Sequence, residues 1–229
     1  MKYAEYIKRI EIDALWGHRK HIVWELDPEV NILSGVNGAG KSTILRNAKS
    51  GVRKKDADVK KGIHVTTVPE DAEYVRYDWI GMPDVRSEYD ENLFAQVEKF
   101  NGNDNVNVNL LYDIIDRLFA SSHKMMDRER KDFAMLFYDE PIDLKVLSSG
   151  EKQMLTILLA VYLENGEHTV IFMDEPEMSL HMEWQKVLIS TVRQLNPNAQ
   201  IILSTHSPAV IMDGWMDKVT EVGEITVEG

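Results

Sequence analysis

A chain of 229 residues, 44% apolar and 28% charged, is long enough to bury a core without staples and is not of disordered composition. It has no cysteine, which excludes a disulfide framework and any thiolate zinc or iron–sulfur site and fits a reducing compartment. No apolar run approaches the ~18 residues of a membrane span, and the opening Met-Lys-Tyr-Ala-Glu-Tyr lacks the apolar segment of a signal peptide. A soluble, cytoplasmic chain without direct membrane insertion is expected.

The net charge of −12 argues against a wholesale nucleic-acid coat, which needs clustered Lys and Arg. The charge is uneven: residues 1–61 hold 13 Lys and Arg against 8 Asp and Glu, and residues 62–229 hold 13 against 30. Arg46, Lys49, Arg53, Lys54, Lys55, Lys60 and Lys61 crowd one stretch. It reads either as a solvated helix end and loop or as a surface for nucleic acid or an acidic partner.

Along the chain, Ile7, Ile10, Ile12 and Leu15, then Ile22, Val23, Trp24 and Leu26, predict two strands about a turn at Trp16-Gly17-His18. Asp27-Pro28-Glu29 is a turn, and Val30–Ser34 is a short buried strand ending at Gly35. A helix is expected from Lys41 to about Lys49, stopping at Ser50-Gly51. Residues 52–145 are less legible. They offer strands at Ile63–Val68 and Tyr74–Ile80, a break at Gly81-Met82-Pro83 and a loop over 101–107. Two helices are expected next, one with Val108, Leu111, Ile115 and Leu118 on a face, the other with Met126, Phe133 and Phe137, the Met and aromatic positions as core.

Periodicity sharpens after Leu147. Ser148–Leu163 suits a helix, Thr169–Met173 a buried strand, Leu180–Leu195 an amphipathic helix and Ala199–Ser204 another buried strand. Val219–Val222 with Glu224–Val227 predicts a closing hairpin around Gly223. Buried strands alternating with helices predict an α/β fold, a mainly parallel sheet flanked by helices, with an N-terminal antiparallel β element and a helical insertion. The expected organisation is one domain over 1–229, with its core in 1–50 and 145–229 and a variable insertion at about 52–145.

Gly35-Val36-Asn37-Gly38-Ala39-Gly40-Lys41-Ser42 fits G-x-x-x-x-G-K-[ST], a P-loop set between a buried strand and a helix. Its glycines let backbone amides turn inward on phosphate, and the helix from Lys41 points its positive end the same way. Asn37, Gly38, Ala39, Gly40, Lys41, Ser42 and Thr43 are the expected nucleotide-binding residues. Lys41 would reach the β- and γ-phosphates, and Ser42 would ligate Mg²⁺. Val170–Met173 runs into Asp174-Glu175, where strand alternation gives adjacent carboxylates different jobs: Asp174 for the magnesium shell, Glu175 as general base toward water. Ser148 with Glu151 three residues on is a capping box at a helix start, and equally a second phosphate-binding N-terminus that another molecule's nucleotide could use. His206, after the strand Ile201–Ser204, could bond a γ-phosphate or the attacking water. Strands ending near 34, 173 and 204 would bring these groups to one crevice at the carboxyl edge of the sheet.

P-loop, Leu147-Ser148-Ser149-Gly150-Glu151, Asp174-Glu175-Pro176 and Ser204-Thr205-His206-Ser207 stand in the order found in ABC-type ATPase heads. The chain most resembles the soluble branch that includes SMC-like chromosome and repair ATPases, overcoming-lysogenization-defect nucleases and ATPase subunits of bacterial anti-phage systems. Asp174-Glu175-Pro176-Glu177-Met178-Ser179-Leu180-His181 with Gln185 is similar to that branch's D-E-P-E-x-x-L-H-x-x-x-Q segment. The resemblance covers 1–50 and 145–210 and hardly touches 51–145. It implies that Ser148 and Gly150 contact ATP held by an opposite protomer. It also places Ser179, Leu180 and His181 on the loop linking two sites across a homodimer, and His206 as the switch histidine. The signature reads Ser-Ser-Gly-Glu rather than Ser-Gly-Gly-Gln, and the magnesium-ligating glutamine of the family has no evident counterpart. Gln96 is the only glutamine between P-loop and signature.

The resemblance therefore implies an ATPase whose nucleotide-sandwich dimer switches a partner, in DNA maintenance or anti-phage defence. Only 23 residues follow His206, so an effector activity is expected on a separate protein. Two rivals stand beside it. A transporter's ATP-binding subunit usually carries S-A-L-D where Met178-Ser179-Leu180-His181 stands here. A non-hydrolysing ATP-gated scaffold has no use for Glu175.

Overall fold

The inward residues of the first strand are Ile7, Ile10, Ile12 and Leu15, and two of those steps are too long for strict alternation. In the computed structural model each long step is a β-bulge, between Ile7 and Arg9 against one neighbouring strand and between Ile12 and Leu15 against the other. The structure describes residues 1–16, 20–53, 62–81, 83, 85–103 and 108–227. Gly17 and His18 of the expected turn, the basic Lys54, Lys55, Lys60 and Lys61, Met82 of the expected break, and 104–107 of the expected loop lie outside the described residues.

In chain order the elements begin β1 (Tyr6–Leu15), β2 (Lys20–Glu25), β3 (Val30–Ser34), α1 (Lys41–Arg53), β4 (Ile63–Val68) and β5 (Tyr77–Gly81). Then come α2 (Arg86–Asn101), α3 (Val108–Phe119), β6 (Lys124–Met126), β7 (Met135–Phe137), β8 (Glu140–Ile142) and α4 (Ser149–Leu163). The remainder is β9 (Thr169–Asp174), α5 (Met182–Leu195), β10 (Ala199–Ser204), α6 (Pro208–Ile211), β11 (Val219–Glu221) and β12 (Thr226–Val227). These fall into two compact units, one of Met1–Met82, Glu167–Glu177 and Asn198–Gly229, the other of Pro83–Gly166 and Met178–Pro197.

The first unit holds two sheets. One is parallel, in the order β11-β3-β10-β9-β5, and the other antiparallel, in the order β12-β2-β1-β4. Every residue of β9 and β10 is buried, and both are mostly apolar, without a break over residues 170–173 and over residues 201–203. Ile44, Leu45 and Ala48 of α1 close the core with Ile7, Ile10, Ile22, Trp24, Phe172 and Ile202. Residues 63–81, expected within the insertion, supply one strand to each sheet.

Two expectations for this unit are corrected. Helix α1 runs through Ser50-Gly51 to Arg53. Gly51 is buried, and a β-carbon there would lie 2.7 Å from Ile63 Cγ2, so this glycine serves close packing on β4 and not helix termination. The segments around Gly223 are not a hairpin. Strand β11 joins β3 in the parallel sheet, while β12 pairs with β2 in the antiparallel one. Buried Val222 and Ile225 anchor the turn that carries the chain between sheets.

Gln200, fully buried on β10, ties the layers together. Its Oε1 accepts from the Ile7 N–H at 2.8 Å, and its Nε2 donates to the carbonyls of Ile7 and Asp27, each at 2.8 Å. Gln200→Leu keeps the bulk and removes these partners. It should cost about 1–3 kcal/mol for each buried backbone group left unpaired, measured as a lower denaturant midpoint. An unchanged midpoint would show that those groups find other partners.

In the second unit α3 has the expected buried face, with Leu111, Ile115 and Leu118 joined by Tyr112, Ile114 and Phe119. The second expected helix is instead the antiparallel sheet β6-β7-β8. Met126 and Phe133 are buried as expected, but Phe137 is 41% exposed, so it is not core. It ends a strand before the Tyr138–Asp139 turn, where both residues take left-handed φ values of 49° and 64°. Helix α2 went unread because its buried stripe is only Leu93, Val97 and Phe100 among polar neighbours.

Candidate functional site

The polar strand ends meet in the first unit. Register pairs Ser204 of β10 with Leu33 of β3 on one side and with Asp174 of β9 on the other. The carboxyl ends expected to share a crevice are thus neighbouring strands. Gly38 and Gly40 of the loop after β3 take φ values of 79° and 104°, a region closed to most side chains. A β-carbon at Gly40 would also lie 2.8 Å from the ring of Trp16, which is 44% exposed and sits just beyond β1. An aromatic residue at a hairpin tip upstream of a P-loop was the available signal for Trp16, and sequence reasoning passed it over as a turn.

Lys41 is buried and donates to the carbonyls of Gly35 at 3.0 Å and Val36 at 3.3 Å. Burial pushes its ammonium below the ordinary lysine range, against the opposing pull of Glu175, Asp174 and Glu177. Four residues past Ser42, on the same face of α1, Arg46 brings its guanidinium to 3.7 Å from Asp174 Oδ2. The other oxygen of Asp174 accepts from Ser204 Oγ at 2.7 Å.

Glu175 departs from simple strand alternation. It lies past the end of β9 with a φ of 50°, a left-handed conformation costing about 1–2 kcal/mol for a residue with a β-carbon. Its N–H is held by the Ser204 carbonyl at 3.1 Å, so the backbone and not the pleat aims this side chain. Glu175 Oε1 lies 2.8 Å from His206 Nε2, and both side chains are part-exposed. Glu177 fixes the backbone at that histidine. Its Oε1 accepts from Thr205 Oγ1 at 2.6 Å and from the His206 N–H at 3.1 Å. Sequence reading had Glu177 and Thr205 within motifs without giving either a task.

Ser42 hydroxyl and Asp174 carboxylate are the hard oxygen donors Mg²⁺ takes, so the residues fit that ion by chemistry. The resemblance also implies a magnesium-ligating glutamine between the P-loop and Ser148, and β5, whose Gly81 pairs with Asp174, carries none. No glutamine stands anywhere between residues 43 and 95, and Gln96 lies in α2 of the second unit.

Ser148 and Gly150 belong to the second unit, where Ser148 caps α4. Its Oγ accepts from the Glu151 N–H at 3.2 Å, and Glu151 Oε2 accepts from the Ser148 N–H at 2.8 Å, closing the expected capping box. Burial alone would raise the Glu151 carboxyl. Lys124 at 2.7 Å and the Ser148 N–H outweigh it and hold the group below the usual carboxylate range. Gly150 packs against the Ser179 carbonyl so closely that a β-carbon would collide with it. His181 caps α5, accepting from the Glu183 N–H at 3.4 Å, and Gln185 Nε2 donates to the Leu180 carbonyl at 2.9 Å. No described helix is long and apolar enough to cross a membrane.

A family model described as "AAA domain, putative AbiEii toxin, Type IV TA system" matches residues 52–213, a span that begins after the P-loop. The chain is 28% identical over 105 residues to "Retron Vc95 probable ATPase" of Vibrio cholerae serotype O1 biovar El Tor, covering 41% of this chain and 20% of that protein. It is 25% identical over 195 residues to "Molybdate/tungstate import ATP-binding protein WtpC" of Methanocaldococcus jannaschii, covering 83% of this chain and 58% of that one. It therefore spans less than two thirds of either relative. Among solved structures, "SMC head domain from Thermotoga maritima" superposes with a TM-score of 0.60 at 15% identity, over 94% of both chains. The fold is that of P-loop ABC-type and SMC-type ATPase heads, as the sequence resemblance implied.

Proposed function

The chain belongs to the AAA-domain family of that description, and from this premise we propose that it binds and hydrolyses ATP between two copies of itself, as one ATPase domain over 1–229. The observation that carries the reading is the 2.8 Å pair of Glu175 and His206 just past the strand ends of Asp174 and Ser204, with the carboxylates of Glu175 and Asp174 acting on Lys41 at the start of α1. Residues 37–43 would hold the phosphates through backbone amides. Lys41, now bonded to its own loop's carbonyls, would turn to the β- and γ-phosphates. The exposed ring of Trp16 offers the adenine a flat apolar face.

In the proposed step a water oxygen attacks the γ-phosphorus, and the bond from that phosphorus to the β,γ-bridging oxygen breaks. The water's proton passes to the Glu175 carboxylate. His206, its backbone N–H held by Glu177, would turn its ring Nε2–H from Glu175 to donate to the γ-phosphate. Mg²⁺, held by Ser42 and Asp174, would supply charge neutralisation on the phosphates.

Ser148 carries the composite-site part of the proposal. Its oxygen is already an acceptor within the cap, which leaves the hydroxyl proton for another molecule's γ-phosphate. Ser148→Arg should therefore abolish ATP-dependent dimerisation while the monomer still binds ATP, read by sizing with and without nucleotide. Loss of the cap should cost only about 1 kcal/mol of stability. One oligomeric state for both proteins under all conditions would remove the sandwich model. The closed dimer would switch a separate effector protein. Defence is the favoured setting, because the retron ATPase shares its match with this chain and the sequence resembles the anti-phage branch. DNA maintenance is the second setting. The similarity to WtpC keeps the transporter reading in view, and co-purification with a membrane permease would establish it.

A further inference from the structure

A second constellation of chemical groups lies on the outer face of the antiparallel sheet, apart from the nucleotide residues. Glu11 and Asp13 alternate along β1, so both point away from the core that Ile10 and Ile12 enter. His21 comes from β2 and His64 from β4, where it is the register partner of Glu11. Three adjacent strands thus deliver two carboxylates and two imidazoles to one place. Glu11 Oε1 lies 3.3 Å from His21 Nε2, Asp13 Oδ1 3.7 Å from His21 Nδ1, and Asp13 Oδ2 3.2 Å from His64 Nε2. One donor atom from each of Glu11, Asp13 and His21 lies within 4.8 Å of the other two. These side chains are part-exposed, so rotamer adjustments can close the remaining gap around one ion of ~2.0–2.2 Å bond length.

The place is shaped for this. The bulge between Ile12 and Leu15 turns the end of β1 beside Asp13. Gly62 leaves the room that Asp13 occupies, since a β-carbon there would lie 2.8 Å from Asp13 Oδ2 and 2.9 Å from its Cβ. The Asp13 N–H is fixed by the Gly62 carbonyl at 2.7 Å. Arg9 holds the second oxygen of Glu11 at 3.1 Å, which leaves Oε1 on the histidine side.

We propose that Glu11, Asp13 and His21, with His64 at their edge, bind a first-row divalent transition-metal ion, with Zn²⁺ the species their chemistry fits best. Mixed imidazole and carboxylate donors suit zinc, whereas Mg²⁺ prefers oxygen ligands and keeps its water. With Arg9 offsetting one of the two carboxylates, a divalent ion leaves the cluster with a small net charge. The ion would tie β1 to β2 next to Trp16, the residue that rests on Gly40 of the P-loop.

The test is calorimetric titration of ZnCl₂ and MgCl₂ into EDTA-stripped, nucleotide-free full chain, with an Asp174→Asn variant to exclude the phosphate-side carboxylate. The expected result is one Zn²⁺ per chain in wild type and Asp174→Asn alike, with no Mg²⁺ taken up there. His21→Ala should weaken Zn²⁺ binding at least ~10-fold. Zn²⁺ should also shift the ring-nitrogen resonances of His21 and raise the melting temperature of wild type by a few degrees. Should His21→Ala fold poorly, His64→Ala and Asp13→Asn read the same loss. Wild-type affinity weaker than about 100 μM, or tight binding untouched by all three substitutions, overturns the site and leaves an ion-pair network only. Either outcome is independent of whether the chain hydrolyses ATP.

Discussion

Glu175→Gln is expected to slow single-turnover ATP hydrolysis by ~10²–10⁴-fold, the usual contribution of a positioned general base. The amide keeps the shape of the side chain and its place beside His206, 2.8 Å away in the wild type, but cannot take the proton of the attacking water. Ser42, Asp174 and Lys41 are untouched, so ATP affinity should be equal or tighter and the nucleotide-bound dimer should accumulate. His206→Ala should slow turnover by less, since in the proposed step the histidine would donate to the γ-phosphate and Glu175 would be the base. The comparison needs hydrolysis and ATP-dependent sizing side by side for the three proteins. A Glu175→Gln variant hydrolysing at the wild-type rate would move the base elsewhere. No hydrolysis above buffer by wild type, with or without DNA, would favour the ATP-gated scaffold.

Lys41→Ala is expected to abolish measurable ATP binding. The loop over residues 37–40 offers the phosphates backbone dipoles only, and Lys41 is the charge that would meet the β- and γ-phosphates. Lys41 is buried, and its ammonium is held in place by the Gly35 and Val36 carbonyls, with Glu175, Asp174 and Glu177 supplying opposing charge. Removing it leaves Glu175 and Glu177 facing the phosphates with one positive charge fewer beside them, so repulsion adds to lost attraction. Calorimetric ATP affinity within about twofold of wild type would end the P-loop assignment. The two substitutions together separate binding from chemistry, because one should empty the site and the other should fill it.

The sequence alone sufficed wherever a local pattern and its chemistry coincide. The P-loop lies between a strand and a helix, the capping box of Ser148 and Glu151 forms, and β9 and β10 are buried along their whole length. Each depends on neighbours within a few residues, or on burial so complete that most positions are apolar. Tertiary structure decided what depends on distant partners. Gly51 reads as a helix stop until Ile63 is seen against it. The last two strands read as a hairpin because sequence proximity cannot reveal that β3 and β2, in different sheets, each recruit one. Met126 and Phe137 read as a helix face because short strands of three residues carry too few positions to show a period. The left-handed backbone of Glu175 is set by Ser204, 29 residues away along the chain, and Glu177 reaches His206 across the same interval. Composition and motif determined which groups are present. Only the pairing of strands far apart in sequence determined which atoms they face.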